Sequence, residues 1–140
     1  MKTKILIIST LLLVALVYGL FKYNQPVAKT GNRDADFKMT SVELFEDFES
    51  NEQLASELYL DKVVEVCGSV SSTSTEADGS IGIVLNGGGM LFGVSCRFET
   101  QEKESVNSIS EGNEICVKGV CTGMLSDVVL NRCILINVSN

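Results

Sequence analysis

"IGIVLNGGGMLFGVSCRFE", residues 81–99, is the stretch whose reading decides the fold. Three consecutive glycines follow an asparagine, and such a run either cradles phosphate or turns the chain between two strands. A phosphate loop continues into Gly-Lys-Ser/Thr at the start of a helix, whose free N–H groups hold the anion. Here no lysine lies within ten residues of the run, and both flanks alternate. Ile81, Ile83 and Leu85 share one face before it. Phe92, Val94, Cys96 and Phe98 share one after it, opposite Gly93, Ser95, Arg97 and Glu99. A period of two belongs to half-buried strands. The stretch therefore reads as a hairpin with Phe92 and Phe98 in the core. Asn86–Gly87 is its turn signal, since both residue types tolerate positive φ.

The same period extends outward. In "KVVEVCGSV" (62–70), Val64, Val66, Gly68 and Val70 share a face, and a Ser/Thr-rich loop spans 71–80. Downstream, Val106 and Ile109 suggest a short helix over Lys103–Ile109, stopped by Gly112. Two more strands, "NEICVKGVCTG" and "DVVLNRCILI", meet at the tight "MLSD" connection, 124–127. The class is mainly β. Five strands with a short helix between the third and fourth is the plan of an OB-fold barrel, predicted over 61–138. Two short helices in a 41–60 lead-in precede it, about Ser41–Glu49 and Asn51–Leu58. Capping boxes Thr40/Glu43 and Ser50/Gln53 open them. Val42, Phe45 and Phe48, then Leu54 and Leu58, recur at helical spacing and are expected to pack on the domain or on each other.

Residues 24–40, with the only proline, read as a linker. Before it, Ile5–Phe21 is a run of 17 uncharged, mostly aliphatic residues flanked by Lys2, Lys4 and Lys22. At about 1.5 Å rise per residue this just reaches across a hydrocarbon core, which makes residues 1–23 a transmembrane signal anchor. A cleaved signal peptide is the competing reading, with only a weak small-x-small site at Val17–Gly19. Either exports the domain, and the leading lysines favour a single-pass membrane protein with its C-terminal domain in the periplasm or outside the cell.

Charge is asymmetric. From residue 29 onward 8 basic residues face 18 acidic ones, a net of −10. Nucleic-acid affinity depends on Lys and Arg displacing counterions, so this balance argues against such a partner. The chain has no histidine, which removes the commonest general base and metal ligand. Carboxylates at Glu65, Glu76, Asp78, Glu99 and Asp127 form no spaced pair, so no catalytic residue is singled out and a non-enzymatic protein is expected.

The five cysteines are 67, 96, 116, 121 and 133, so at least one cannot pair within the monomer. Cys121 and Cys133 flank the last hairpin and form a candidate disulfide. The alternative is that cysteines are buried as small apolar residues, Cys96 in particular. Cys116 and Cys121 are five apart and point to opposite faces of one strand. With no closer spacing and no histidine, no metal site and no cofactor are predicted.

Several of these residues form a larger pattern: Tyr59 and Lys62 ahead of the first strand, Gly68 within it, Gly112 before the fourth, and "KGVCTG" followed by "DVVLNRC". From about Val42 to Ile136 the chain resembles the tRNA-anti-like OB-fold family of small bacterial exported or membrane-anchored proteins. The resemblance implies a binding module without an assigned reaction, and it carries over no catalytic residues. The expectation is thus a membrane-anchored OB-fold module held through residues 5–21, recognising a protein or a small envelope ligand through loop 71–80 and connection 124–127. A structural envelope role acting through the helical lead-in is the alternative, with single-stranded nucleic acid as a weaker one.

Overall fold

The computed structural model describes residues 30–89 and 91–139, together with Val14. The predicted transmembrane segment 5–21 thus lies, but for Val14, outside the described residues. Among those described, no helix is long and apolar enough to cross a membrane.

Six strands make one sheet: β1 (Phe37–Thr40), β2 (Val63–Thr75), β3 (Ile81–Asn86), β4 (Gly93–Phe98), β5 (Glu114–Met124) and β6 (Val128–Ser139). Strands β2 to β6 close into the predicted five-stranded barrel. Antiparallel pairing runs β2–β3–β4, β4 pairs with β6 in parallel through Val94↔Val128, β6 pairs with β5, and β5 returns to β2. The alternation fills it: Ile83, Leu85, Val94, Cys96, Phe98, Val117 and Leu130 are all fully buried.

Among the described residues, two elements lie inside the predicted linker, a 3-10 turn at Thr30–Asn32 and a strand. Residues 37–40 form β1, parallel to β2 with Phe37↔Val64 through Thr40↔Cys67. The carboxylate of Asp36 anchors its start by accepting from Val63 N at 2.8 Å, while Asp36 N donates to Val63 O at 2.7 Å. Two helices follow, α1 (Ser41–Ser50) and α2 (Glu52–Tyr59). The Thr40/Glu43 capping box forms as expected. The second does not: Asn51 caps α2 instead, its side chain accepting from Leu54 N at 3.1 Å. Helix α1 buries Leu44, Phe45 and Phe48. Helix α2 buries Ala55 and Tyr59 and leaves Leu54 and Leu58 at 53% and 44% exposure, so that expected pair does not reach the core. Between β4 and β5, a 3-10 turn at Thr100–Glu102 runs into α3 (Lys103–Val106), which stops three residues short of the helix expected over Lys103–Ile109, although Val106 and Ile109 are both buried.

Gly68 shows why α1 sits where it does. A Cβ there would collide with Ser41 at the N-terminus of the helix. The bare backbone admits Ser41, whose hydroxyl donates to Asn86 O at 2.5 Å and ties the helix to the end of β3.

The disulfide differs from the expected one. Cys67 and Cys116 stand directly opposite each other on β2 and β5 and are bonded, with Cα atoms 4.0 Å apart. Cys121 and Cys133 are free and buried, as is Cys96. The reason is register: Cys121 faces Leu130, whereas a bulge sets Cys133 over Gly119, where an added Cβ would lie 2.6 Å from its sulfur.

Three outcomes follow from this packing. Thiol counting in denaturant should find three free thiols before reduction and five after it, and finding five before reduction would contradict the pairing. Replacing Cys67 and Cys116 together by Ala should cost up to about 4 kcal/mol in a denaturant melt, by loop-closure arithmetic for a separation of 49 residues. The third outcome concerns Tyr59, which donates to Asp47 Oδ2 at 2.7 Å and packs edge-on against Phe37 at 4.9 Å. Burial, then Asp47, pushes its phenol up to about 12 from an ordinary 10.0. A raised folded pKa contributes stability that is complete below the unfolded value and lost as pH rises through the folded one. Stability should therefore fall between pH 10.0 and about 12, and Tyr59→Phe should remove that part of the decline in alkaline melts.

Candidate functional site

The outer face of the β3–β4 hairpin, where oligonucleotide-binding OB-folds hold their ligands, is small and nearly neutral. Gly82 opposes Arg97 and Val84 opposes Ser95, with Ser74 and Ser72 of β2 alongside. Arg97 is not free: its guanidinium donates to Asp78 at 2.7 Å. Asp78 is also the acceptor for the Ser80 hydroxyl at 2.6 Å and the Ser80 amide at 2.9 Å. These Ser80 bonds, ahead of the contribution from Arg97, lower its carboxyl from 3.8 to about 2. The expected loop 71–80 is thus shorter and more ordered than its composition suggests. Residues 71–75 continue β2, and 76–80 form a turn closed by Glu76 N to Ser80 O and Gly79 N to Glu76 O, both 2.9 Å.

The other end of the hairpin is built differently. Connection 124–127 is pinned to the start of β4, because Asp127 Oδ1 accepts from Gly93 N at 2.8 Å. The glycine run forms the neighbouring connection. Asn86 Oδ1 accepts from Gly88 N at 2.7 Å, and positive φ falls on Gly88 alone of the Asn86–Gly87–Gly88 series. The turn extends well past its Asn86–Gly87 signal, so β4 begins only at Gly93 and Phe92 does not enter the barrel.

Instead Leu91, Phe92 and Leu125 are 83%, 49% and 94% exposed on these two adjoining connections. Leu91 and Phe92 line an open cleft of about 360 Å³, together with Gly87 and with Phe45, Glu46 and Glu49 of α1. This apolar tip with an acidic margin is a candidate interaction surface. Sequence alternation missed it by carrying the period of β4 one residue pair too far toward the turn.

Of the other sequence candidates, the thiols of Cys121 and Cys133 are pushed up by burial, Cys133 also by its neighbour Cys96. Buried, protonated thiols are poor nucleophiles and poor metal ligands. A second, smaller cavity of about 190 Å³ lies elsewhere, between the turns Thr30–Asn32 and Thr100–Glu102. Near it the hydroxyl of Thr30 is buried with no hydrogen-bond partner among the described residues.

Comparison with known proteins places this geometry. The model of the tRNA-anti-like family matches residues 1–135. Among solved structures, the chain is similar to a lipoprotein of Klebsiella pneumoniae subsp. pneumoniae MGH 78578 with a suggested nucleic-acid-binding role. Identity is 18% and the TM-score 0.61, over 81% of this chain and all of that one. A structure of yeast Stn1 and Ten1 aligns at 10% identity and a TM-score of 0.48, over 76% of this chain and 65% of that one. No curated protein matches. At such identities the likeness to the lipoprotein establishes a shared fold.

The glycine run permits a local test. A Cβ on Gly87 would lie 2.8 Å from the Phe45 ring and from the Gly93 backbone, whereas one on Gly89 meets nothing within 4 Å. Gly87→Ala should destabilise by about 1–3 kcal/mol through overpacking, and Gly89→Ala should leave the denaturation midpoint unchanged. Equal effects of the two would refute this packing of α1 on the turn.

Proposed function

The chain belongs to the tRNA-anti-like family, and on that footing we propose that it is a non-catalytic OB-fold binding module, held in the membrane through residues 5–21. Its barrel faces the periplasm or the cell exterior and recognises a protein partner. The observation that carries this reading is the exposed pair Leu91 and Phe92 beside Glu46 and Glu49, with the exposed Leu125 on the adjoining connection. Clustered apolar side chains in solvent with a polar margin are characteristic of interaction sites. The acidic margin selects a partner segment that carries Lys or Arg next to apolar residues. The recognition surface thereby keeps connection 124–127 and exchanges loop 71–80, whose acid and base neutralise each other, for connection 87–92. The Cys67–Cys116 bond supports the location, since disulfides persist in oxidising compartments.

Two other readings rest on particular observations. Leu54 and Leu58, one helical turn apart and exposed on α2, favour a structural contact with an envelope neighbour through the lead-in. The suggested role of the Klebsiella lipoprotein favours single-stranded nucleic acid. Against the latter, binders of single strands combine a basic groove with exposed aromatics, and here the hairpin face offers only the ion-paired Arg97.

Photo-crosslinkers placed at Phe92 and at Leu58 in the native membrane separate the readings. Capture of a defined protein at Phe92, lost in Leu91→Ser/Phe92→Ser and in Glu46→Lys/Glu49→Lys, is the expected result. Capture at Leu58 alone would transfer the function to the helical lead-in. Filter binding to single-stranded DNA and RNA at low salt is expected to give no micromolar affinity, and such an affinity would reinstate nucleic acid.

A further inference from the structure

Strand β6 carries one residue more than β5 between the register pairs Lys118↔Ile134 and Val120↔Asn131. Arg132 stands in this bulge with φ +53°. A bulge of this kind takes glycine at its left-handed position, because a Cβ there crowds the backbone. An arginine held in that conformation is a local outlier, and outliers of this sort gather at functional sites.

The surroundings of Arg132 give it a use. The half-buried residue lines the cavity of about 190 Å³, together with Glu99, Glu102, Gln101, Asn32 and Thr30. The ion pairs among the described residues are Lys38–Glu65 and Arg97–Asp78, so Arg132, Glu99 and Glu102 line one cavity without forming an ion pair among themselves. A site that presents separated charges of both signs, with amide side chains at its wall, suits a ligand with the same separation. Its size is also apt, since a cavity of roughly 150 Å³ holds a molecule as large as benzene.

We propose that this cavity binds a small zwitterion, its anionic group held by the fork of Arg132 and its ammonium between Glu99 and Glu102. Two sources share that chemistry, a free amino acid and the phosphoethanolamine headgroup of a lipid. The site is separate from the apolar tip and does not depend on it.

Equilibrium dialysis of the full-length chain in nonionic detergent tests it, with radiolabelled L-serine and radiolabelled glycerophosphoethanolamine as probes. Saturable binding of at least one probe at one site per chain is expected, and the preferred probe identifies the source. Arg132→Gly and Arg132→Asn, both compatible with the left-handed backbone, should weaken binding at least about tenfold without lowering the melting temperature. Glu99→Gln/Glu102→Gln should do the same, while acetate and ethanolamine should compete poorly. No saturable binding below about 10 mM, undiminished affinity in the Arg132 variants, or equal competition by acetate would each overturn the proposal.

Discussion

Strand β2 has to serve two neighbours in succession. Residues 63–69 pair with β5 and residues 70–75 with β3, so the strand must change partners at the irregularity between Val70 and Ser72. Backbone groups left unpaired in a buried strand are costly, and closing the barrel through this one bent strand satisfies them on both sides. The rest of the structure depends on that closure. It brings Cys67 opposite Cys116 and opens the groove at Gly68 into which Ser41 fits. It also leaves an edge beside residues 64–67 that β1 fills in parallel.

Closure makes the hairpin ends chemically distinct. At the 76–80 turn, Asp78 collects the Ser80 amide, the Ser80 hydroxyl and Arg97, so the acid and the base cancel within the fold. At the opposite end Asp127 is spent on the Gly93 amide, and the apolar residues of both connections are left outside. Hydrophobic side chains with no internal partner retain their free energy of burial for an external one. That asymmetry is what shifts the proposed surface away from the Ser/Thr-rich segment, which composition alone favours, toward the opposite end of the hairpin.

Much of the barrel was legible because its strands are half-buried and a period of two is local information. Val64, Val66, Val94, Cys96 and Phe98 fall inside as their spacing requires. The misreadings have physical causes. Phe92 continues the apolar phase of its strand, but the chain needs the residues from Gly87 onward to turn under α1, so pairing starts later. Leu54 and Leu58 obey helical spacing, yet α2 is rotated so that Tyr59 can reach Asp47 and Phe37, and Ala55 takes the inward position. The linker composition of 24–40 concealed β1, whose four residues are held by Asp36 and by the β2 edge instead of by propensity.

The sequence by itself determined the succession of the five barrel strands, the helix between the third and fourth of them, the capping box at Thr40 and the family pattern. Each of these is written in neighbouring residues through period, punctuation and charge. The tertiary structure alone decided which cysteines meet, where Arg132 points its charge and which apolar side chains remain in solvent. Those outcomes hang on register and bulges between segments far apart in the chain, where the displacement of one residue exchanges the partner of every side chain beyond it.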